Sequence, residues 1–271
     1  MKNIFENLWT DYVKLNPQAL RIHDIILAEE KKAGRDISRL ENDHVAFRTF
    51  NHPKIGIDVF AKIFARHGYQ KKGEYHFKEK KLFAIHMEHP DPNAPKAFIS
   101  ELLLEKFSGA FDELAHLVAG SVTDELVQEE SLLWSGRSWQ PKQAEFDRIA
   151  QLSEYASWVY AFGFRTNHFT ISVNHLKAFA DLTQLNSFLK SNGVTLNASG
   201  GEIKGSKDVC LEQSSTMSEK IEVQFQEGPR LVPSCYYEFA QRFKDKNGHF
   251  YTGFVSDSAD KIFESTYSRP S

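Results

Sequence analysis

The chain has 271 residues with 33 basic and 36 acidic side chains, a formal net charge of −3, and is long enough to bury a sizeable core as one large or two small domains. The even balance carries no basic excess of the kind nucleic acid selects and no like-charge block that would make an interaction tail. An apolar share of 41% with 22 Phe excludes wholesale disorder and suits a sheet-rich core with aromatic strands. Two cysteines, Cys210 and Cys235, are too few for a disulfide scaffold and lack CxxC spacing, so both are expected as reduced thiols. The N-terminus has no uninterrupted apolar core of a signal peptide, and no stretch approaches the roughly 20 apolar residues of a membrane span. The expectation is a soluble cytoplasmic protein with no nucleic-acid or membrane partner; oligomeric state stays open.

Residues 3 to about 32 carry a helical pattern. Leu8, Tyr12 and Leu15 recur before Pro17, and Ile22, Ile25 and Ile26 resume the stripe after it. Residues 43–50 alternate as a strand, and residues 57–67 form a helix closed by Gly68. Strand-like runs follow around 75–77, at 82–87 and at 97–104, with Pro90, Pro92 and Pro95 marking the last loop. The order is β-α-β-β-β.

Residues 107–160 look helical, with Phe111, Leu114, Leu117 and Val118 as one stripe and a further helix from about Glu145 to Trp158. The first pattern then returns: a strand at 167–174, a helix from Lys177 to about Ser191 closed by Asn192-Gly193, and strand candidates at 202–204, 209–211, 220–225 and 235–240. The organisation is an N-terminal helical segment (1–40), a first module (41–106), a helical insert (107–162), and a second module with a C-terminal tail (163–271). Together they make one α+β catalytic domain, its two β-α-β-β-β modules forming a half-open barrel. Overlaid, the modules match His44 with His168 at the opening strand and Glu101 with Glu238 on the closing strand.

The chemistry concentrates on these residues. In Asp43-His44-Val45-Ala46-Phe47-Arg48, the strand period puts an imidazole and a guanidinium on one face. Two histidines and a carboxylate on one face of such a barrel make a 2-His-1-carboxylate triad, which leaves three metal positions open for a chelating substrate and dioxygen, as Fe(II) enzymes require. The candidate ligands are His44, His168 and Glu238. Arg48 is the candidate catalytic residue, a bidentate grip on a substrate carboxylate.

Plainer roles compete at each position. A strand His commonly just packs or hydrogen-bonds, Arg48 could pair with a structural acid such as Asp43, and Glu101 could be a salt-bridge partner, an orienter of a ligand His or an extra ligand. Glu222 competes with Glu238, although its polar neighbours Lys220 and Gln224 turn its face to solvent. Tyr236 shares the Glu238 face and Tyr237 points the other way. The His86-Met87-Glu88-His89 run and the Gly200-Gly201 pair fit no site geometry, and the chain holds neither a GxSxG elbow nor a Walker A loop.

The run His44-Val45-Ala46-Phe47-Arg48-Thr49-Phe50, with Phe98-Ile99-Ser100-Glu101-Leu102, Asn167-His168 and Tyr236-Tyr237-Glu238-Phe239, resembles the 2-oxoadipate dioxygenase/decarboxylase family from about residue 40 to 266. That family is related in fold to the vicinal oxygen chelate superfamily. The resemblance implies Fe(II) as cofactor and a 2-oxo acid and dioxygen as partners. The implied reaction is oxidative decarboxylation coupled to hydroxylation of the same molecule, which turns 2-oxoadipate into 2-hydroxyglutarate. It implies His44, His168 and Glu238 at the metal, Arg48 at the substrate carboxylate and a substrate-facing residue near Ser258. The chain is shorter than the best-studied family members, largely in the insert and towards the C-terminus, and its 253–263 segment matches them only in part. An oxygen-independent lyase, isomerase or hydrolase on Zn²⁺, Mn²⁺ or Ni²⁺, favoured by a fourth ligand at Glu101, and a binding module without turnover are the alternative readings.

Overall fold

The computed structural model describes residues 2–266. Two N-terminal helices, α1 (Lys2–Leu15) and α2 (Pro17–Lys32), are separated at Asn16, and Pro17 takes the first helical position where its missing N–H costs nothing. The first module follows as β1 (Asn42–Phe50), α3 (Ile57–Arg66), β2 (Gln70–Phe77), β3 (Leu82–Glu88) and β4 (Lys96–Leu102). The insert holds α4 (Asp112–Gly120), α5 (Asp124–Gln128), α6 (Gln143–Leu152) and α7 (Glu154–Phe162). The second module is β5 (Thr166–Ser172), α8 (Leu182–Ser191), β6 (Lys204–Ser206), β7 (Leu211–Ser215), a hairpin of β8 (Lys220–Phe225) and β9 (Gly228–Pro233), and β10 (Tyr236–Arg242). A last helix, α9 (Ser256–Phe263), runs into a 3₁₀ turn at Glu264–Thr266.

The sheet order β2-β3-β4-β1-β5-β10-β7-β6 displays the repeat. In each module the first strand pairs in parallel with the last, β1 with β4 and β5 with β10, and the two modules meet antiparallel along β1 and β5. The expected paired β-α-β-β-β architecture is therefore the observed one.

Several local expectations change. Residues 220–225 do form a strand, but β8 pairs only with β9 in a separate hairpin, inserted between the third and fourth strands of the module. Cys210 sits in a left-handed turn (φ 60°), so the strand expected at 209–211 starts only at Leu211. Helix α8 begins five residues later than expected, because Asp181 caps it by accepting from the Gln184 N–H at 2.9 Å. Ser153 splits the long insert helix in the same way, capping α7 through the Ala156 N–H. Leu117 is 43% exposed and does not share the buried stripe of Leu114 and Val118. Both cysteines are free thiols, and no helix among the described residues is long and apolar enough to cross a membrane.

The N-terminal helices cover the outer face of the sheet. The Tyr12 hydroxyl donates to the Tyr236 carbonyl at 2.6 Å and accepts from Asn16, and Tyr12 and Trp9 pack on Phe169 and Tyr237. This leaves the inner face, carrying His168 and Tyr236, for the site. The turn from α7 into β5 depends on Gly163 at φ 71° and ψ −147°, where an added Cβ would lie 2.1 Å from the Gly136 carbonyl oxygen. That backbone region is open essentially to glycine alone. Gly163→Ala should therefore lower stability by about 3 kcal/mol, read from denaturant unfolding.

Candidate metal centre

The seam between β1 and β5 contains one extra residue on each strand. Asp43 is skipped between the pairs Asn42–Ile171 and His44–Thr170, and Asn167 between Ala46–His168 and Phe47–Thr166. A bulge re-aims the side chains around it. Each bulged residue directly precedes a histidine and turns its oxygen onto that ring: Asp43 Oδ1 lies 2.8 Å from His44 Nδ1, and Asn167 Oδ1 lies 3.2 Å from His168 Nδ1. With both Nδ1 atoms donating, both Nε2 lone pairs are left for another partner.

Those Nε2 atoms converge at 3.4 Å. The Glu238 carboxylate closes the group, with Oε1 3.5 Å from His44 Nε2 and Oε2 3.3 Å from His168 Nε2. All three ligand atoms fall within 4.8 Å of one another, and all three residues are buried. Such spacings suit donors about 2.1 Å from one shared ion. Two further neighbours steady the group: Gln213 Nε2 donates to Glu238 Oε1 at 2.6 Å, and Thr170 Oγ1 lies 3.1 Å from His44 Nε2.

Electrostatics fit a cation. Burial pushes the Glu238 carboxyl up to about 8. Burial lowers His44 against the opposing pull of Asp43, and it holds His168 well below the usual histidine range with help from His44 and Arg48. Burial also opposes ionisation of Asp43, but Arg242 and the hydrogen bonds from His44 and Arg242 outweigh it and keep that carboxyl well below the usual range. Arg242 clasps Asp43 through Nε at 2.6 Å and Nη2 at 2.9 Å and also donates to the Tyr251 and Gly253 carbonyls. It thereby ties the histidine's orienting carboxylate to the turn that carries Phe254, whose ring lies edge-on to His44 at 4.8 Å.

The sheet supplies one side of the cavity through the three candidate ligands plus Phe98, Gln213 and Tyr236, and the C-terminal segment supplies the other through Phe254, Ala259, Ile262 and Phe263. Tyr236 stacks on His168 at 4.5 Å, whereas Tyr237 points to the helices, as the alternation requires. The buried Tyr236 hydroxyl, Arg48 Nε, Gln213 Oε1 and Asn167 Nδ2 have no hydrogen-bond partner among the described residues. Tyr236 and Gln213 line the cavity itself, and unpaired buried polar atoms at a cavity point to a ligand.

Arg48 is 1% exposed and shares the His44 face. Its guanidinium lies over Tyr155, Trp158 and Phe263, and it donates to Glu154 Oε1 at 3.3 Å and Thr266 Oγ1 at 3.2 Å. Asp43 is not its partner.

Two expectations need correction. Glu101 is not at the centre: its carboxylate accepts from the Ile57 N–H at 2.9 Å and caps the positive end of α3. The register explains why. His44 pairs with Lys96 and His168 with Tyr236, so the counterpart of Glu238 in the first module is Phe98, opposite Ala46. Glu101 lies three positions further on, and an odd offset turns a strand residue to the other face. Ser258 is the second. It is buried beside Gly205, while its helix presents Ala259, Ile262 and Phe263 to the cavity. Glu222 is exposed on the β8–β9 hairpin. The roles of Asp43, Asn167, Gln213, Arg242 and Glu154 were not read from the sequence; for Asp43 and Asn167 the signal was a polar residue immediately before each strand histidine.

Paired β-α-β-β-β modules closing on a buried two-His, one-carboxylate group have the architecture of a mononuclear metal protein. Solved structures agree on the fold: a Ralstonia eutropha protein of the glyoxalase superfamily aligns with a TM-score of 0.73 at 20% identity, over 93% of this chain and 84% of that one. The chain belongs to the 2-oxoadipate dioxygenase/decarboxylase family, whose model matches residues 4–129 and 112–245. The match includes the N-terminal helices, which lay outside the sequence resemblance. The Arabidopsis thaliana chloroplastic 2-oxoadipate dioxygenase/decarboxylase is 32% identical over 98% of this chain and 77% of its own length. Hydroxyglutarate synthase from Oryza sativa, solved in complex with 2-oxoadipate, aligns with a TM-score of 0.84 at 29% identity over 97% of this chain and 91% of that one. A Shewanella frigidimarina protein provisionally described as a hydrolase aligns at 0.87 with 45% identity, over 94% of this chain and 97% of that one.

Two outcomes follow for metal binding. At pH 7 a carboxyl at about 8 is mostly protonated and the lowered histidines are neutral. Loading a divalent ion should therefore release about one proton per ion, fading above pH ~9 as Glu238 ionises unaided. Calorimetry in buffers of different ionisation enthalpy reads this number, and Glu238→Gln should abolish it. Asp43→Asn should weaken metal affinity about 10- to 100-fold by loosening His44, measured by competition with a chelating dye.

Proposed function

We propose that this protein is an Fe(II)-dependent dioxygenase/decarboxylase that converts a 2-oxo dicarboxylic acid of the 2-oxoadipate kind to a 2-hydroxy acid and carbon dioxide. The observation that carries the reading is the buried group of His44, His168 and Glu238, with Phe98 where a fourth ligand would stand. Three protein ligands leave room on an ion for a chelating 2-oxo acid together with dioxygen, and an apolar fourth wall cannot close that position. Iron, when bound, supplies the sites at which the 2-oxo acid and dioxygen meet and the electrons that start oxygen reduction.

The chain's own residues do the rest. His44 and His168 present Nε2 because Asp43 and Asn167 hold their other nitrogens. Gln213 fixes the Glu238 carboxylate by hydrogen-bonding one oxygen. Arg48, whose Nε has no partner among the described residues, takes the carboxylate at the far end of the acid, and that grip sets how the carbon chain lies against the metal side of the cavity. Tyr236, whose hydroxyl has no partner among the described residues, brings it to the same cavity as a donor to substrate oxygen. Phe98, Phe254, Ile262 and Phe263 exclude water, which protects a reactive oxidant and strengthens every polar contact inside. The oxygen-independent readings lose their support with Glu101, which caps a helix instead of supplying a fourth ligand. Relatives in plants are chloroplastic or amyloplastic; for this chain we place the reaction in the cytoplasm.

Anaerobically iron-loaded protein given 2-oxoadipate should consume dioxygen and release carbon dioxide in equal amounts, measured with an oxygen electrode and trapped CO₂. His44→Ala should abolish both. No uptake with any 2-oxo acid at full iron occupancy would reject the dioxygenase reading.

A further inference from the structure

We propose that Glu154 is a specificity-determining residue, holding the Arg48 guanidinium by a contact that only a ligand with a second carboxylate displaces. This rests on the reading that Arg48 receives the far carboxylate of the substrate.

The cavity at the metal group measures about 20 Å³, room for about one water molecule and well short of the roughly 300 Å³ or more of ordinary ligand pockets. A dicarboxylic acid can bind only if a wall moves. On one side the walls stand on β1, β4, β5, β7 and β10 of one hydrogen-bonded sheet. On the other they belong to the segment from Phe254 to Phe263, which ends in the turn carrying Thr266.

That end is fastened at Arg48. The guanidinium donates to Glu154 Oε1 and to Thr266 Oγ1, and the Thr266 hydroxyl donates to the same Glu154 oxygen. The three groups form one closed ring of contacts. Phe263, three residues before Thr266, touches both places, lying over the guanidinium and walling the metal cavity. Beyond the ring a cleft of about 520 Å³ opens, lined by Glu154, Ser157, Trp158, Arg230 and Thr266 among others. Arg48 therefore stands between an outer cleft and a closed inner cavity.

The ring is built to be exchanged. Glu154 uses a single oxygen at 3.3 Å, and its side chain is 24% exposed, so it can turn to water. Arg48 Nε is buried without a partner among the described residues. An arriving carboxylate can take Nε and one terminal nitrogen as a two-point pair, which is stronger than the one-point contact it replaces. Releasing Glu154 also releases Thr266 and with it the end of the segment that fills the cavity. A 2-oxo acid lacking the second carboxylate has nothing to set against Glu154 and binds, if at all, with the Arg48–Glu154 pair kept, so Glu154 competes with the dicarboxylate alone.

The test is calorimetric titration of the anaerobic Fe(II)-loaded protein with 2-oxoadipate and with 2-oxohexanoate, which share the chelating end and differ in the far group. Glu154→Gln keeps the shape and removes the competing charge. It should shift the ratio of the two Kd values about tenfold further towards the dicarboxylate, and Thr266→Val should shift it in the same direction. The Thr266 variant decides the matter should the Glu154 variant fail to fold. A ratio unchanged or moved towards 2-oxohexanoate in these variants, while Arg48→Ala removes the preference, overturns the role of Glu154 and leaves the carboxylate role of Arg48 standing. A preference that survives Arg48→Ala overturns both.

Discussion

The seam between β1 and β5 is the constraint on which the site depends. These strands belong to different modules, and each spends one residue outside the regular ladder, Asp43 on one and Asn167 on the other. The extra residues are what let two histidines 124 positions apart bring their Nε2 atoms to 3.4 Å with both Nδ1 atoms already committed. An unbulged pairing would keep the histidines on the inner face, but their neighbours would alternate away from them and could not hold the rings. The repeat thus serves the chemistry: it supplies the same strand, the same bulge and the same histidine twice, facing each other.

The modules are not equivalent at the third candidate ligand, and that asymmetry leaves one flank of the candidate centre without a carboxylate. The second module places Glu238 on the strand parallel to β5, and the first places Phe98 at the matching register. A carboxylate at both positions would surround an ion with protein. A phenyl ring instead gives a centre with an apolar, water-poor flank, extended by Phe254, Ile262 and Phe263 from the C-terminal segment. The same burial makes the metal-free group costly as a set of charges. Glu238 accordingly stays protonated to about 8 and the histidines stay neutral, and only a cation restores the carboxylate.

Much of this was legible in the sequence because strand alternation is a strict rule. The pattern of residues 43–50 and 167–174 put His44, Arg48 and His168 on inward faces, and the alternation through Tyr236, Tyr237 and Glu238 separated the residue stacked on His168 from the one packed on the helices. What escaped was whatever a contiguous pattern does not encode. Glu101 looked equivalent to Glu238 because both sit in closing strands, yet equivalence is set by register, and three positions reverse the face. The β8–β9 hairpin alternates like a sheet strand, so its excursion from the sheet left no mark in the pattern. Ser258 lay on the correct helix one residue from a cavity-lining position, since the rotation of α9 is fixed by packing. The Asp43–Arg242 clasp and the Arg48–Glu154–Thr266 ring join residues 199, 106 and 218 positions apart, a distance over which only the folded chain reports contact.

The most direct measurement is the anomalous diffraction of iron in crystals grown anaerobically with 2-oxoadipate. The account predicts one iron peak bonded to His44 Nε2, His168 Nε2 and Glu238 and chelated by the 2-oxo acid. Iron at another place, or iron at this place carrying a fourth protein ligand in the substrate's position, would contradict it.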